Sequence, residues 1–366
     1  MKTENMKIKN EDYFLQSYNF ELPEKQIAQC PAVMRHGSKL MVLDQKTGET
    51  EIKSFIDIVD LLPDGALLVA NNSKVIPARI FGKKPTGGRV EFLLLTPLPL
   101  IEPSESEGIK KAIAKGLLRA SKSPKTGDTV VFECGMKITV LGKGKFGLSE
   151  VELEWKGDLK TIFETCGNIP LPPYIHRAAD ETDNERYQTL YACDEKAGSV
   201  AAPTAGLHFS EEINSRLKAK GIERVEVTLY VGYGTFSPVR AEDIRDHEMH
   251  AEYIELPEET AKAVIKAKKE GRPVIAVGTT SARTLEGAFQ QTGKICEFKG
   301  ETSIFIYPGF EFKVVDRMIT NFHLPESSLV IMISALAGRE NVLAAYKRAV
   351  DNQFRFFSYG DSMYIK

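Results

Sequence analysis

The chain has 366 residues, two to three times a usual domain length, so two domains or one large α/β unit are expected rather than a small module. Hydrophobic residues at 42% and charged residues at 27% are globular averages that exclude disorder, collagen-like repeats and coiled coil. With 48 Lys plus Arg against 50 Asp plus Glu the net charge is −2, so a polyanionic partner would have to be met by a local patch.

The first thirty residues are polar and charged throughout with no apolar stretch of a secretory signal, and no segment approaches the ~20 apolar residues of a membrane span. A cytoplasmic protein without membrane attachment is expected. Five cysteines, at 30, 134, 166, 193 and 296, fit neither a disulfide framework nor a CxxC motif, and read as reduced, mostly buried thiols.

Along the chain, residues 76–157 stand apart. Short alternating runs at 89–95, 129–133, 137–141 and 149–155 lie between Gly, Pro, Lys and Ser clusters, the pattern of a small antiparallel sheet or barrel. This window carries 14 Lys plus Arg and 9 Asp plus Glu, a charge of +5 that leaves −7 on the remainder. After Pro170 helices and strands alternate. Ser210 caps a helix that buries Ile213 and Leu217 and stops at Gly221; a strand at 224–231 follows. Pro257 opens a helix ended by Gly271, strand 273–277 runs into Gly278, 281–290 reads as helix and 303–307 as strand. The stretch 329–335 is a buried strand or a buried helix, which periodicity does not decide. Alternation of this kind argues for an α/β layer with parallel strands.

Several segments carry possible chemistry. Val277-Gly278-Thr279-Thr280-Ser281-Ala282-Arg283 puts hydroxyls and a guanidinium where a buried strand turns into a helix, a place to hold a carboxylate or phosphate. Equally, it is a capped helix whose arginine meets a structural carboxylate. Residues 201–209, with Thr204, Gly206 and His208, are poor in charge and let backbone approach a ligand closely, although a histidine among apolar residues is commonly a satisfied core group. The same holds for Asn321 and His323 in 320–325. His247 and His250 are three apart, not the four of a helical zinc pair, and no third ligand is near, so no metal is expected. Gly232 and Gly234 form a GxG turn that lacks the third glycine of a dinucleotide site.

Taken in order, these blocks resemble one family. Phe20-Glu21-Leu22-Pro23, Asn71 through Arg79, residues 85–91, Leu171-Pro172-Pro173-Tyr174-Ile175, Arg186-Tyr187-Gln188-Thr189, residues 202–209, 232–238, 277–283 and 320–325, and Arg355 through Asp361 are similar to the S-adenosylmethionine:tRNA ribosyltransferase-isomerases of the queuosine pathway. Arg35-His36-Gly37-Ser38-Lys39 lacks the acidic residue expected before its serine, Glu301-Thr302-Ser303 stands where Trp-Thr-Asp is frequent, and Ala282 replaces a frequent valine.

The resemblance implies a large mixed α/β domain, 1–75 and 158–366, interrupted by an inserted small β-barrel domain, 76–157. It implies transfer and isomerisation of the ribosyl part of S-adenosylmethionine onto 7-aminomethyl-7-deazaguanine at the tRNA wobble position, giving epoxyqueuosine, adenine and methionine. S-adenosylmethionine is then a substrate, and no metal, cofactor or protein partner is implied. At least one catalytic group should titrate near neutrality; His208 is expected as base and His323 as proton donor. Thr204, Gly206, Gly232, Gly234, Thr279, Thr280, Ser281, Arg283 and Asn321 are expected to hold substrate. From the charge asymmetry, tRNA should lie on Lys110, Lys111, Lys115 and Lys122, read as a loop, with neighbouring Lys74 and Arg79. A cofactor-free sugar-phosphate isomerase and a non-catalytic tRNA-binding protein are the rival readings.

Overall fold

A computed structural model of the chain describes residues 8–232, 234 and 238–366; Tyr233 and residues 235–237 of the GxG block lie outside the described residues. The centre is a nine-stranded mixed sheet. Its order is Phe298–Thr302, Glu252–Leu256, Glu223–Leu229, Leu67–Asn71, Val274–Val277, Arg317–Asn321, Ser362–Ile365, Lys39–Leu43 and Thr50–Ser54. The four strands from Glu223–Leu229 to Arg317–Asn321 are parallel, and antiparallel pairings flank them.

The central strands are apolar at consecutive positions because both faces are covered. Leu67, Val69, Val274, Ala276 and Met318 pack one way, onto helices Glu258–Lys269, Thr279–Thr292, Ser328–Ala337 and Arg339–Asp351. Leu68, Ala70, Ile275, Val277 and Ile319 pack the other way, with Ile213 and Leu217 of helix Glu211–Ala219 and with Phe55 and Ile58. Strand alternation thus builds three layers from one sheet.

The helix boundaries follow the capping chemistry. Ser210 accepts the Ile213 N–H at 3.2 Å, and the helix after Pro257 spans Glu258–Lys269. The ambiguous stretch at 329–335 is helical, inside Ser328–Ala337, and Ser327 caps it through the Val330 N–H. One expected strand is absent: pairing ends with Phe298–Thr302, and 303–307 joins no sheet. Thr302 Oγ1 accepts the Ile304 N–H at 3.3 Å and turns the chain, so the apolar alternation of Ile304 and Ile306 records burial rather than pairing.

A second sheet of seven strands lies between Arg79 and Trp155. Six of them close on themselves, because Ile109–Arg119 pairs with both Arg89–Leu94 and Leu148–Trp155; the short Ser104–Ser106 adds to the outside. The inserted β-barrel inferred from turn-bounded runs is therefore present, with its own core of Ile80, Phe92, Ala114, Val130, Ile138, Val151 and Leu153. Its longest strand was missed: Lys110, Lys111 and Lys115 lie on Ile109–Arg119, not on a loop. Small Ala112, Ala114 and Gly116 face inward between these lysines, and small residues give a weak alternation signal. Chain entry and exit are tied together, since Arg79 and Asn168 exchange backbone hydrogen bonds at 3.3 and 2.9 Å.

One further expectation fails. The five cysteines are free thiols, but none is buried; Cys30 and Cys166 are exposed and the others half-buried, placed in a bend, a turn, a helix end and irregular segments. No single helix among the described residues is long and apolar enough to cross a membrane.

A Cβ on Gly116 would overlap the Phe92 ring that fills the barrel, whereas one on Gly88 would meet open space. Gly116→Ala should therefore cost about 1–3 kcal/mol by overpacking, and Gly88→Ala should be near neutral. Equal denaturant midpoints for the two variants would contradict this packing account.

Candidate active site

All four parallel strands deliver their carboxyl ends to the same edge of the sheet. Leu67–Asn71 continues into Asn72, Glu223–Leu229 into Tyr230 and Val231, Val274–Val277 into Gly278, and Arg317–Asn321 into Phe322 and His323. Open α/β sheets bind ligands at such an edge. A cleft with about 690 Å³ of empty space opens there, walled by residues 201–205, 278–280, 320–324 and 357–358 together with Tyr174 and Val231. Blocks more than a hundred residues apart in sequence thus line one cavity, among them the expected Thr204, Thr279, Thr280, Asn321 and His323.

The turn at Gly278 explains how the helix reaches the cleft. Its φ of +89° is open only to glycine at low cost, and it aims the first turn of Thr279–Thr292 at the cavity, where unpaired N–H groups of a helix start favour an anion. Thr280 Oγ1 is buried without a hydrogen-bond partner. Ser281 and Arg283 behave differently from expectation. Ser281 Oγ donates to the Val277 carbonyl at 2.8 Å and is wholly buried, so it secures the helix. Arg283, buried, pairs through Nη1 with the Glu252 carboxylate, which also accepts the Gly232 N–H at 3.1 Å, while its Nε and Nη2 are buried without partners. Of the two readings left open for Arg283, the structural carboxylate is realised, and neither Ser281 nor Arg283 is on the cleft wall.

The glycines are used by protein packing. A Cβ at Gly206 would overlap the Tyr191 hydroxyl, and one at Gly234 the His250 ring; neither residue lines the cleft. The space at those positions is filled by the Tyr191 and His250 side chains. Among the described residues no three His, Cys, Asp or Glu side chains converge as metal ligands.

The two histidines sit in separate surroundings. His208 ends a 3-10 turn, Thr204–His208, with Nδ1 2.8 Å from Ser38 Oγ and its ring 5.0 Å from that of Phe55. Its Nε2 is buried without a partner, as is Asn321 Oδ1. Burial pushes the His208 pKa down to about 3; the charge of Arg355 adds to this, and the Asn321 amide opposes it. His323 Nε2 lies 2.8 Å from Thr320 Oγ1, and its backbone N–H donates to Tyr346 Oη at 3.0 Å. Burial pushes its pKa to about 3 as well. The expectation of a group titrating near neutrality is thus not met by either residue, because both rings are desolvated and neither faces a carboxylate. His208 lines a second, smaller hollow with Arg35, Ser38, Arg186 and Ser358, and only Ser358 is common to both cavities.

Sequence reasoning did not select Tyr174, Ser358 or Ser38 as site residues. Tyr174 Oη and Ser358 Oγ are 2.6 Å apart, and the Tyr174 ring lies 4.5 Å from that of Phe357, giving the cleft an aromatic wall. All lie in quoted blocks, but aromatic and hydroxyl residues read equally well as core.

The basic residues divide into two groups. Lys74 pairs with Asp194, Arg79 lies 3.5 Å from Glu91, and Lys111 sits 3.6 and 3.0 Å from Glu152 and Glu154. Among the described residues Lys110, Lys115 and Lys122 have no carboxylate within 4 Å.

A family model described as "Queuosine biosynthesis protein" matches residues 15–365. The chain belongs to this family. A curated S-adenosylmethionine:tRNA ribosyltransferase-isomerase of Oleidesulfovibrio alaskensis is 57% identical over 97% of this chain and 93% of its own length. One of the same name from Syntrophotalea carbinolica is 48% identical, covering 96% and 99%. A crystal structure of an S-adenosylmethionine tRNA ribosyltransferase from Thermotoga maritima, 33% identical, superposes with a TM-score of 0.54 and covers 96% of this chain and all of that one. This family member shares its fold with that solved structure, which covers 96% of the chain.

Two measurements check the electrostatics of the site. Glu252→Ala leaves a buried guanidinium uncompensated and should cost about 3–5 kcal/mol in denaturant unfolding; a change below about 1 kcal/mol would free Arg283 for a ligand role. Each buried histidine binds a proton in the unfolded chain near pH 6.5 but not in the folded one until about 3. Their contribution is intact above about pH 6.5, and stability should fall by about 1.4 kcal/mol per pH unit per histidine as the pH drops from there towards about 3. His323→Gln should flatten that slope.

Proposed function

We propose that this chain is an S-adenosylmethionine:tRNA ribosyltransferase-isomerase. The observation that carries the reading is identity of 48–57% to curated enzymes of that name along nearly the entire chain. The cleft assembled from the family's blocks supports it. The sugar-phosphate isomerase and the non-catalytic binding protein have no comparable support.

In this reading S-adenosylmethionine occupies the cleft at the carboxyl ends of the parallel strands, against Thr204, Thr279, Thr280 and Asn321, with Tyr174 and Phe357 as a stacking wall for an aromatic base. The ribosyl acceptor is 7-aminomethyl-7-deazaguanine at the tRNA wobble position. The sulfonium acidifies the neighbouring C5′ hydrogens; a base takes one, the ylide collapses with opening of the ribose and expulsion of adenine, the aminomethyl nitrogen attacks, and epoxide closure releases methionine. S-adenosylmethionine serves as substrate, and this chemistry calls for no further cofactor or metal.

His208 and His323 remain the candidate proton carriers, with roles restated by their burial. Both imidazoles are neutral at pH 7, so either can accept a proton and neither holds one to give. His323 as resident donor to adenine is therefore replaced by a shuttle: the imidazole that accepts first becomes a strong acid in its buried setting and returns the proton to a leaving group. We assign residues 76–157 as the tRNA-facing insert, with Lys110, Lys115 and Lys122 among its cations that meet no carboxylate. A tRNA-modifying enzyme belongs where tRNA is, in the cytoplasm.

Incubation with S-adenosylmethionine and precursor-bearing tRNA should release adenine, read by chromatography. His208→Ala and His323→Ala should slow release by about 10²- to 10⁴-fold with folding retained; near-wild-type rates in both would make the histidines structural. Neutralising Lys110, Lys115 and Lys122 together should lower the slope of log affinity against log salt by about three, roughly one per phosphate contact. An unchanged slope would move tRNA off the barrel.

A further inference from the structure

Arg283 meets Glu252 through Nη1 and lines neither cavity, so an anion bound in these cavities needs another partner, and the smaller hollow supplies one. Arg35 enters it from the N-terminal segment and Arg186 from the end of helix Glu181–Arg186. The two side chains reach across each other's backbone. Arg35 donates to the Gln188 and Glu185 carbonyls at 2.8 and 2.9 Å, and Arg186 to those of Val33 and Ala32 at 3.1 and 2.6 Å. Neutral carbonyls hold both guanidinium groups in place and leave both charges in force. Among the described residues no carboxylate lies within 4 Å of either guanidinium.

The nearby acids are engaged elsewhere. Asp183 is held by Arg177 at 2.6 Å and by Tyr359 Oη, also at 2.6 Å. Asp361 accepts the backbone N–H groups of Lys39 and Arg355 and lies 3.5 Å from the Arg355 guanidinium. Burial and the charge of Arg186 both disfavour the charged form of Arg35, with Glu185 offsetting part of this. Arg186 Nε is a buried donor without a partner, and the same hollow is lined by His208, 4% exposed, whose ring has the Asn321 amide beside it. Like charges and an unsatisfied guanidinium donor brought together in this way are an arrangement that an oxyanion stabilises.

We infer that the hollow bounded by Arg35, Arg186 and His208 is an anion subsite for a substrate whose other part lies in the main cleft across Ser358. The inference rests on the reaction proposed above. The anion is an oxyanion carried by a substrate: the carboxylate of S-adenosylmethionine or a backbone phosphate of tRNA beside the wobble nucleotide. Neither Arg35 nor Arg186 enters a bond-making step; both bind.

The test measures binding of S-adenosylmethionine and of precursor-bearing tRNA separately to the wild type, Arg35→Ala and Arg186→Ala. Loss of a charge-assisted contact should weaken one of them by about 10- to 100-fold. A loss confined to S-adenosylmethionine identifies the carboxylate. A loss confined to tRNA, with the salt slope reduced by about one, identifies a phosphate. Affinities within twofold for both ligands overturn the subsite. Because the arginines also hold backbone carbonyls, a second measurement uses the unaltered protein: the ¹⁵N-imidazole signal of His208 should shift on addition of the ligand that carries the anion, and no shift with either ligand overturns the subsite. Adenine release by the wild type separates the two levels. If it is absent the reaction assignment falls; if it is present while both binding tests are negative, only the subsite does.

Discussion

A strand covered on both faces can present backbone and side chains to a ligand only at its ends, and four such strands lie side by side in this protein. Leu67–Asn71, Glu223–Leu229, Val274–Val277 and Arg317–Asn321 run the same way, so the segments that follow them must crowd together at one edge. Everything else about the site depends on that crowding. It brings Gly278 against Ala205, 3.5 Å from where a Cβ would stand, and sets residues 320–324 alongside 201–205. The antiparallel strand Ser362–Ile365 begins at the same edge, which is why Phe357 and Ser358, just before it, close the cleft from the far end of the chain.

What could be read from sequence follows from which signals are local. Ser210 at a helix start, Pro257 ahead of one and glycine after Val277 are one-turn effects, and the elements they bound occur where expected. The barrel was legible from turn spacing and charge. Its strand Ile109–Arg119 was not, since Ala112, Ala114 and Gly116 make an inward face too small to register as hydrophobic, while Ile113 faces outward. Pairing was illegible where burial mimics it, as at Ile304 and Ile306.

The site was legible as a set of blocks and less so as a set of roles. Thr279 and Ser281 look alike on paper, yet one lines the cleft and the other bonds back to the carbonyl of Val277 at the end of the preceding strand. Whether an arginine is free depends on a carboxylate that sequence does not place: Glu252 comes from a neighbouring strand to meet Arg283, whereas nothing comparable reaches Arg186. The histidines show the same limit. Their motif marks them as reactive, but their basicity is set by the depth at which three layers of packing leave them, and that depth emerges only from the assembled fold.

The backbone clasp between Arg79 and Asn168 makes the barrel a loop with its two ends pinned at one point. A segment that leaves and rejoins its host at the same place can change length, charge or surface without shifting the strands around it. The surface assigned to a nucleic acid and the pocket assigned to a small molecule are in that sense separately inherited parts. Drift in the barrel can change its surface charge while the sheet edge, fixed by four parallel strands, stays as it is.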